Sequence, residues 1–418
     1  MQTVAYVTLG CKVNQYDTQA IREALATAGY TEVASDQPAD VYIVNTCCVT
    51  AESHRKSLQF VRRLGRDHPA ASIVVTGCSV ETDADAIREI PGVAHVVGND
   101  AKPDIPSLVA GIAAGPAWPS VSGFEEHSRA FVKIEDGCES FCSYCIVPHV
   151  RGRVRSRPPD EVVAEVERLI SAGYLEIVLT GIHLGHYGRE TGGTWALIPL
   201  LERLARLPGL RRLRLSSIEV GEVTDDLLAL MAGSDALCPH LHIPLQSGDD
   251  HVLRAMNRRY GATEFLDRLD AVRAWLDEPA VTTDVIVGFP GETDEQFANT
   301  VALSRRAGFS RMHVFPYSDR EGTPASRMDG KLPRDVVRAR REELGAVAAE
   351  LGEAYHRRFV GRTVEVLVES RRDRRTGLLC GYSGRYVRAF FEGSDASMGQ
   401  ITPVRVAGAT ARGVDASI

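Results

Sequence analysis

The chain has 418 residues, 44% of them hydrophobic, and a formal net charge of -7, which gives it material for about three domains and excludes a uniformly nucleic-acid-coating polycation. No apolar run approaches the roughly 18 residues of a membrane-crossing helix, and the N-terminus enters a strand without the basic segment, apolar core and cleavage site of a signal peptide. Nine cysteines without a secretory signal point to metal ligation in a reducing, cytoplasmic setting rather than to disulfides.

Three short apolar runs open the chain: Val4 to Thr8, Val41 to Asn45 and Ile73 to Thr76. They read as buried strands alternating with helical stretches, the pattern of an open parallel α/β sheet. A cysteine follows each strand end, at Cys11, Cys47 and Cys78. Parallel strands place their carboxyl ends on one edge of the sheet, where ligands bind in such folds, so three thiols converge there without sequence adjacency. Cys48 lies beside Cys47 and topology alone does not choose between them; cysteines that merely line a core are the plain alternative. The unit runs to about Gly98, and the Pro- and Gly-containing stretch Lys102 to Gly123 reads as a linker.

A new strand, Phe131 to Asp136, leads into Gly137-Cys138-Glu139-Ser140-Phe141-Cys142-Ser143-Tyr144-Cys145. This Cys-x3-Cys-x2-Cys spacing arranges three thiolates around one face of a cubane cluster, which needs four ligands and so keeps one iron open. A zinc site with His149 as fourth ligand is the competing reading. Strand-like runs then recur at Glu176 to Thr180, Arg212 to Ser216, His240 to Leu245, Val281 to Val287 and Arg311 to Pro316. Helical patterns separate them, such as Pro159 to Ala172 with acids in its first turn and Gly173 beyond its end. Six βα units predict a partial barrel, with the site at the carboxyl ends of its strands.

The loops at that end read Thr180 to Gly188, Ser216-Ser217-Ile218-Glu219, Leu245-Gln246-Ser247-Gly248, Gly288-Phe289-Pro290-Gly291-Glu292-Thr293 and Pro316-Tyr317-Ser318. Glycines permit close backbone approach to a ligand, and Ser, Glu and Gln offer hydrogen bonds. His183 and His186 read as hydrogen-bonders that order their loop. The helix expected over Pro333 to Phe359 has Leu344, Val347, Leu351, Tyr355 and Phe359 at helical spacing for packing. From about Val360, short strands at Thr363 to Glu369, Gly377 to Gly381, Tyr386 to Phe391 and Ile401 to Val406 suit a small OB-like barrel. Nine arginines face three acids between Arg357 and Phe390, a local basic footprint on an acidic body. Only five of the 48 basic residues are lysines, so arginine is the general cation of this chain.

With Tyr144 just before its third cysteine, the Cys138 segment resembles the radical SAM superfamily, which implies S-adenosylmethionine chelated at the open iron and cleaved to a 5'-deoxyadenosyl radical. The wider set resembles the radical SAM methylthiotransferases over nearly the whole chain: Leu9-Gly10-Cys11, Asn45-Thr46-Cys47, Thr76-Gly77-Cys78, Gly137 to Cys145, Ile146-Val147-Pro148 leading to Arg151-Gly152-Arg153, Leu245 to Gly248, Met256-Asn257-Arg258-Arg259-Tyr260 and Gly288 to Thr293. The resemblance implies two [4Fe-4S] clusters, an auxiliary one on Cys11, Cys47 and Cys78 and the radical SAM one on Cys138, Cys142 and Cys145. It implies S-adenosylmethionine contacts from Tyr144, Gly181, Ser217, Glu219, Gln246, Ile286, Gly288 and Tyr317. The family departs here in having Ser79-Val80-Glu81 after Gly77-Cys78, where an aromatic and a small residue are usual, and in having Cys48.

Three branches of that family differ after Gly-Cys, and Lys12-Val13-Asn14 is similar to the branch acting on tRNA N6-threonylcarbamoyladenosine; its sisters act on N6-isopentenyladenosine tRNA or a ribosomal-protein aspartate. The implied organisation is an N-terminal methylthiotransferase domain over 1–110, a radical SAM barrel over 124–358 and a TRAM RNA-binding domain over 359–418. Arg371, Arg372, Arg374 and Arg375 in the first turn of the last domain are the expected RNA contacts. Implied partners are tRNA, an electron donor such as flavodoxin or ferredoxin, and a sulfur donor, with no membrane. A two-cluster electron-transfer or RNA-binding protein without catalysis is the alternative from another class.

Overall fold

The computed structural model describes residues 2–124 and 127–418 and divides into two compact units. One comprises Met1–Ser122, Asp136–Arg157 and Ser318–Ser326; the other comprises Gly123–Glu135, Pro158–Tyr317 and Arg327–Ile418.

The first unit is an open sheet built from β1 (Thr3–Thr8), α1 (Lys12–Thr27), β2 (Thr31–Glu32), β3 (Val41–Thr46), α2 (Ala51–Asp67), β4 (Ser72–Gly77), α3 (Val80–Arg88), β5 (Val93–Val97) and α4 (Ile105–Ala110). Its strand order is β2-β1-β3-β4-β5, parallel throughout. Every residue of β3 is buried, as a central parallel strand covered on both faces requires. Successive β3 side chains alternate between two cores. Tyr42 and Val44 join Val61 and Leu64 of α2 and Ile87 of α3, whereas Val41 and Ile43 join Ile21 and Leu25 of α1 and Ile105 of α4.

The stretch expected to be a linker from Lys102 is folded at its start. Lys102 Nζ pairs with Asp17 Oδ2 at 2.7 Å with both side chains buried, and Ile105 is fully buried in the α1 core. Composition marked the segment as loop because proline and glycine dominate it; tertiary partners on α1 override that local preference. A fifth helix, α5 (Val147–Arg151), follows the second cysteine triplet and stops at Gly152.

In the second unit, β6 (Ala130–Lys133), Glu176–Thr180 and Arg212–Leu215 form one parallel sheet, and His240–His242, Ala280–Val287 and Arg311–Pro316 form another. Parallel bridges Leu213–Leu237 and Ser217–His242 join the two, so all six expected strands follow one another in sequence order as a partial barrel. The C-terminal strands Thr363–Val368, Leu379–Ser383, Arg388–Phe391, Ile401–Thr410 and Gly413–Ser417 close into a small barrel. Its core of Val366, Val368, Leu379, Phe391, Val404 and Val414 also takes Tyr355 and Phe359, from the end of the helix Arg334–Arg357 and just beyond it.

A buried charge cluster fastens this small barrel to the amino ends of the strands. Glu176 is fully buried and accepts from Arg214 Nε at 2.9 Å, with Arg129 at 3.5 Å and Arg212 at 3.6 Å. The same arginines reach across: Arg212 donates to the Tyr382 and Glu365 carbonyls, Arg214 to Ser383 and Gly384, and Arg129 pairs with Glu369. Burial pushes the Glu176 carboxyl up, but the three guanidiniums outweigh it and bring it to about 2. Removing one partner of a buried ion network leaves the others uncompensated. Glu176→Ala is therefore expected to cost about 3–5 kcal/mol in urea unfolding. Because the folded carboxyl lies below its unfolded value near 4, the contribution is full above that range and disappears as pH falls toward 2. The gap in urea midpoint between the parent and Glu176→Gln should narrow over that window.

Candidate metal centre and barrel mouth

The parallel order β1-β3-β4 puts Cys11, Cys47 and Cys78 just past the carboxyl ends of three adjacent strands. Gly10 makes the approach possible. It lies at φ +100, and a Cβ there would fall 2.9 Å from Cys47 Sγ, so the Cys11 loop rests directly against Cys47. Gly77, at φ +94, would collide with the Thr46 backbone and Asn45 if it bore a side chain, which sets the β4 loop against the β3 loop. Ser57 and Ser79 hydroxyls donate to the Cys47 carbonyl at 3.0 and 3.1 Å; Ser79, one of the departures after Gly77-Cys78, thus braces a cysteine-bearing loop.

Cys48 packs with Cys78, Ile146 and Val150 in a buried cluster. The Cys48 thiol hydrogen-bonds Cys78, and this, against the opposing effect of burial, helps bring Cys78 down to about 5, with Arg151 and Lys102 adding to the effect. Cys48 itself is raised by the same contact and by burial.

Two residues that sequence reading did not single out hold this edge together. Asn14, the last residue of Lys12-Val13-Asn14, donates through Nδ2 to the Leu9 and Thr46 carbonyls at 2.8 and 3.0 Å, tying the Cys11 and Cys47 loops. Its Oδ1 accepts from Arg151 Nη2 at 2.5 Å. Arg151 Nη1 donates to Asp136 Oδ2 at 3.0 Å and lies 3.7 Å from Asp17. The Arg151 side chain is 1% exposed. The only hint in the sequence was its place in Arg151-Gly152-Arg153.

The second triplet belongs to the same compact unit as the first. Cys142 is buried, Cys138 and Cys145 partly so. Their loop is pinned by Cys138 N–H to the Gly152 carbonyl at 3.1 Å, Cys145 N–H to Cys142 at 2.9 Å, and Ala325 N–H to Ser143 at 2.8 Å. Gly137 adopts φ +93, and a Cβ there would sit 2.0 Å from the Arg153 carbonyl. Phe141 takes the left-handed conformation, φ +48, and is exposed; Tyr144 is half-buried. All nine cysteines are free thiols. Three soft sulfur donors suit an iron-sulfur cluster, and each triplet offers three free thiols, so both fit such a group.

In the second unit, the expected contact residues lie along the carboxyl ends of the barrel strands, linked by hydrogen bonds around the mouth. Glu135 Oε2 accepts from His183 N–H at 2.7 Å and occupies the space where a Gly181 side chain would stand. His183 Nε2 meets Glu222 Oε1 at 2.6 Å, and Glu222 Oε2 accepts from Glu219 N–H at 3.2 Å. Glu219 pairs with Arg258. Tyr260 OH donates toward the Pro244 and Leu245 carbonyls at 2.9 and 2.8 Å. Gln246 then adopts φ +64 and bonds Asp284 and Ile286 through its backbone. Gly288 N–H donates to the buried Glu292, which Arg340 holds at 2.6 Å, and Tyr317 N–H bonds the Val287 carbonyl. Ser217 bridges His242. Much of Met256 to Tyr260 and Gly288 to Thr293 is therefore bracing behind the loops.

Among the described residues, His183, His186 and Glu222 have ligand atoms within 4.8 Å of one another. The two imidazoles stack at 3.5 Å with 13° between planes. In-plane lone pairs of parallel rings do not meet at one point, so this is a stacked pair on a carboxylate and not a chelate. Burial and His183 lower the His186 imidazole to about 4, neutral at physiological pH. The histidines order the loop, as expected.

In the small barrel, Arg372 donates to Asp395 and to the Gly377 and Gly393 carbonyls and braces the hairpin, whereas Arg371, Arg374 and Arg375 are exposed.

Family models match the chain in three places: "Uncharacterized protein family UPF0004" over residues 3–98, "Radical SAM superfamily" over 132–304 and "TRAM domain" over 357–418. The threonylcarbamoyladenosine tRNA methylthiotransferase MtaB of Bacillus subtilis (strain 168) is 39% identical over 97% of this chain and 94% of its own. The protein of that name from Thermotoga maritima is 38% identical over 99% and 96%. The tRNA-2-methylthio-N(6)-dimethylallyladenosine synthase of Acidothermus cellulolyticus is 37% identical over 96% and 84%. Among solved structures, the radical S-adenosylmethionine methyltransferase TsrM from Kitasatospora setae superposes with TM-score 0.57 at 17% identity, over 78% of this chain and 77% of that one, a likeness of fold.

The Gly137 geometry yields a test. Gly137→Ala forces the loop away from the Arg153 carbonyl, so iron taken up on anaerobic reconstitution should fall while the far-ultraviolet circular dichroism stays that of the parent.

Proposed function

The chain belongs to the radical SAM methylthiotransferase family, and we propose that it attaches a methylthio group to carbon 2 of N6-threonylcarbamoyladenosine at position 37 of tRNA, giving 2-methylthio-N6-threonylcarbamoyladenosine. The observation that carries this reading is the gathering of two three-thiol sets within one compact unit, in a chain collinear with relatives bearing that name. Lys12-Val13, ahead of Asn14, supports the choice of substrate, while Asn14 itself shapes the loops that carry Cys11 and Cys47.

In this reading Cys138, Cys142 and Cys145 hold one [4Fe-4S] cluster and Cys11, Cys47 and Cys78 the other. When bound, the first supplies the electron that cleaves S-adenosylmethionine for hydrogen removal and the second carries the sulfur to be transferred. Two centres are needed because carbon 2 of an adenine is not ionised by side-chain acids and bases near neutral pH. The protein's own groups divide accordingly. Glycines at 10, 77 and 137 let the thiol-bearing loops approach closely, and Cys48 packs against Cys78. Tyr144, Gly181, Ser217, Glu219, Gln246, Ile286, Gly288 and Tyr317 are assigned to S-adenosylmethionine; of these Glu219 is already held by Arg258, so its role is to shape the loop as well as to bind. Residues 1–110, 124–358 and 359–418 act as sulfur-carrying, radical-forming and RNA-holding modules. Arg371, Arg374 and Arg375 face the RNA, with Arg372 supporting their hairpin. A flavodoxin- or ferredoxin-type electron donor and a separate sulfur donor complete the system, in the cytoplasm; no helix of the described residues is long and apolar enough to cross a membrane.

A sister activity on N6-dimethylallyladenosine (isopentenyladenosine) is the second reading, favoured by relatives of that name at 37–39% identity. Mass spectrometry of tRNA nucleosides from cells with and without the gene separates the two: loss of 2-methylthio-N6-threonylcarbamoyladenosine alone supports the proposal, and unchanged tRNA overturns it. For the purified enzyme, Cys142→Ala should abolish 5'-deoxyadenosine formation, while Cys47→Ala should keep uncoupled cleavage and yield no methylthio product. Equal loss of cleavage in both would contradict the division of labour. Replacing Arg374 and Arg375 together by Ala should weaken tRNA binding and flatten its salt dependence, by up to about 0.9 in slope per lost phosphate contact, as read by fluorescence anisotropy across a salt series.

A further inference from the structure

Arg151 is the most deeply buried cation near the cysteines, and its surroundings are only partly accounted for by its visible partners. The guanidinium faces Asp136 through Nη1 and Asn14 through Nη2, with Asp17 3.7 Å away and itself paired to Lys102. Two carboxylates thus face two cations. The Nε–H is buried and has no partner among the described residues. A buried donor left without an acceptor is unfavourable, so a residue held there points to an acceptor that arrives later. The thiols that act on its charge are Cys78 and Cys11. The loops of Cys11 and Cys47, which Asn14 ties together, meet this side chain through Asn14.

We propose that Arg151 is a positioning residue of the Cys11/Cys47/Cys78 cluster, donating hydrogen bonds to its sulfur shell and setting its reduction potential. This rests on the auxiliary-cluster reading above. A cubane with three thiolates is anionic and gains a further negative charge on reduction. A fixed, poorly solvated cation beside it favours the reduced form, and hydrogen bonds to sulfur act in the same direction. Arg151 has a second consequence. Its Nη1 holds Asp136, which adjoins Gly137-Cys138, while its Nη2 holds Asn14, which joins the Cys11 and Cys47 loops. One side chain therefore sets the segment entering the second triplet relative to the loops of the first.

The test uses the full chain with Cys138, Cys142 and Cys145 replaced by Ala, so that iron reports the auxiliary site alone, and follows an electron paramagnetic resonance redox titration. Arg151→Gln should weaken electron uptake at least tenfold, a downward shift of about 59 mV for a one-electron couple, with altered line shape. Arg151→Lys, which keeps charge but lacks the planar fork, should recover part of the shift. Asp17→Asn, which removes an opposing charge and leaves Arg151 in place, should move the midpoint upward, so the proposal is decided even if the Arg151 variants do not fold. Iron equal to the parent with midpoints unmoved in these variants overturns the inference alone. A parent that binds no cluster overturns the auxiliary-cluster reading, and the inference with it.

Discussion

Each strand of the five-stranded sheet and of the partial barrel runs parallel to its neighbours, so each carboxyl end delivers its loop to the same edge, and the chemistry of both units follows from that constraint. In the sheet, the edge receives Cys11, Cys47 and Cys78 from segments far apart in sequence. In the barrel, it receives Gly181, Ser217, Glu219, Gln246, Gly288 and Tyr317. An antiparallel pairing of any one strand would send its loop to the opposite end and remove a ligand or a contact at once. The buried β strands, apolar on both faces, are what enforce the parallel arrangement.

Buried charge supplies the long-range ties that apolar packing does not specify. Glu176 gathers Arg129, Arg212 and Arg214, and those arginines grip backbone carbonyls of the small barrel. In the other unit Arg151 gathers Asn14, Asp17 and Asp136. Each cluster is paired and hydrogen-bonded, the condition under which buried ions are tolerated. Each also places a cation against a particular geometry: the amino ends of barrel strands in one case, thiol-bearing loops in the other.

Much of this was legible in the sequence. Strand positions came from short apolar runs, and the placement of Cys11, Cys47 and Cys78 followed from parallel topology; all six barrel strands appear where apolar runs stand. What was not legible depends on side chains meeting across long separations. Lys102 to Ala110 reads as linker by composition, yet its Lys102 and Ile105 find partners on α1. Asn14 reads only as the end of Lys12-Val13-Asn14 and in fact ties two cysteine loops together. Glu292 and Arg258 lie within family motifs and are held by Arg340 and Glu219. Motif spacing identifies which residues matter but not whether they face the ligand or stand behind the residues that do.

The thiol-bearing unit is discontinuous: its third segment, Ser318–Ser326, lies beyond all six barrel strands in the chain and includes Ala325, which pins the Cys142 to Cys145 turn through Ser143. Chains emerge from the ribosome amino end first. The sheet can form early, but the turn around Cys142 lacks its last backbone restraint until the barrel has been almost wholly synthesised. Completion of the second triplet's scaffold is thereby timed late in translation, after all six barrel strands have been made.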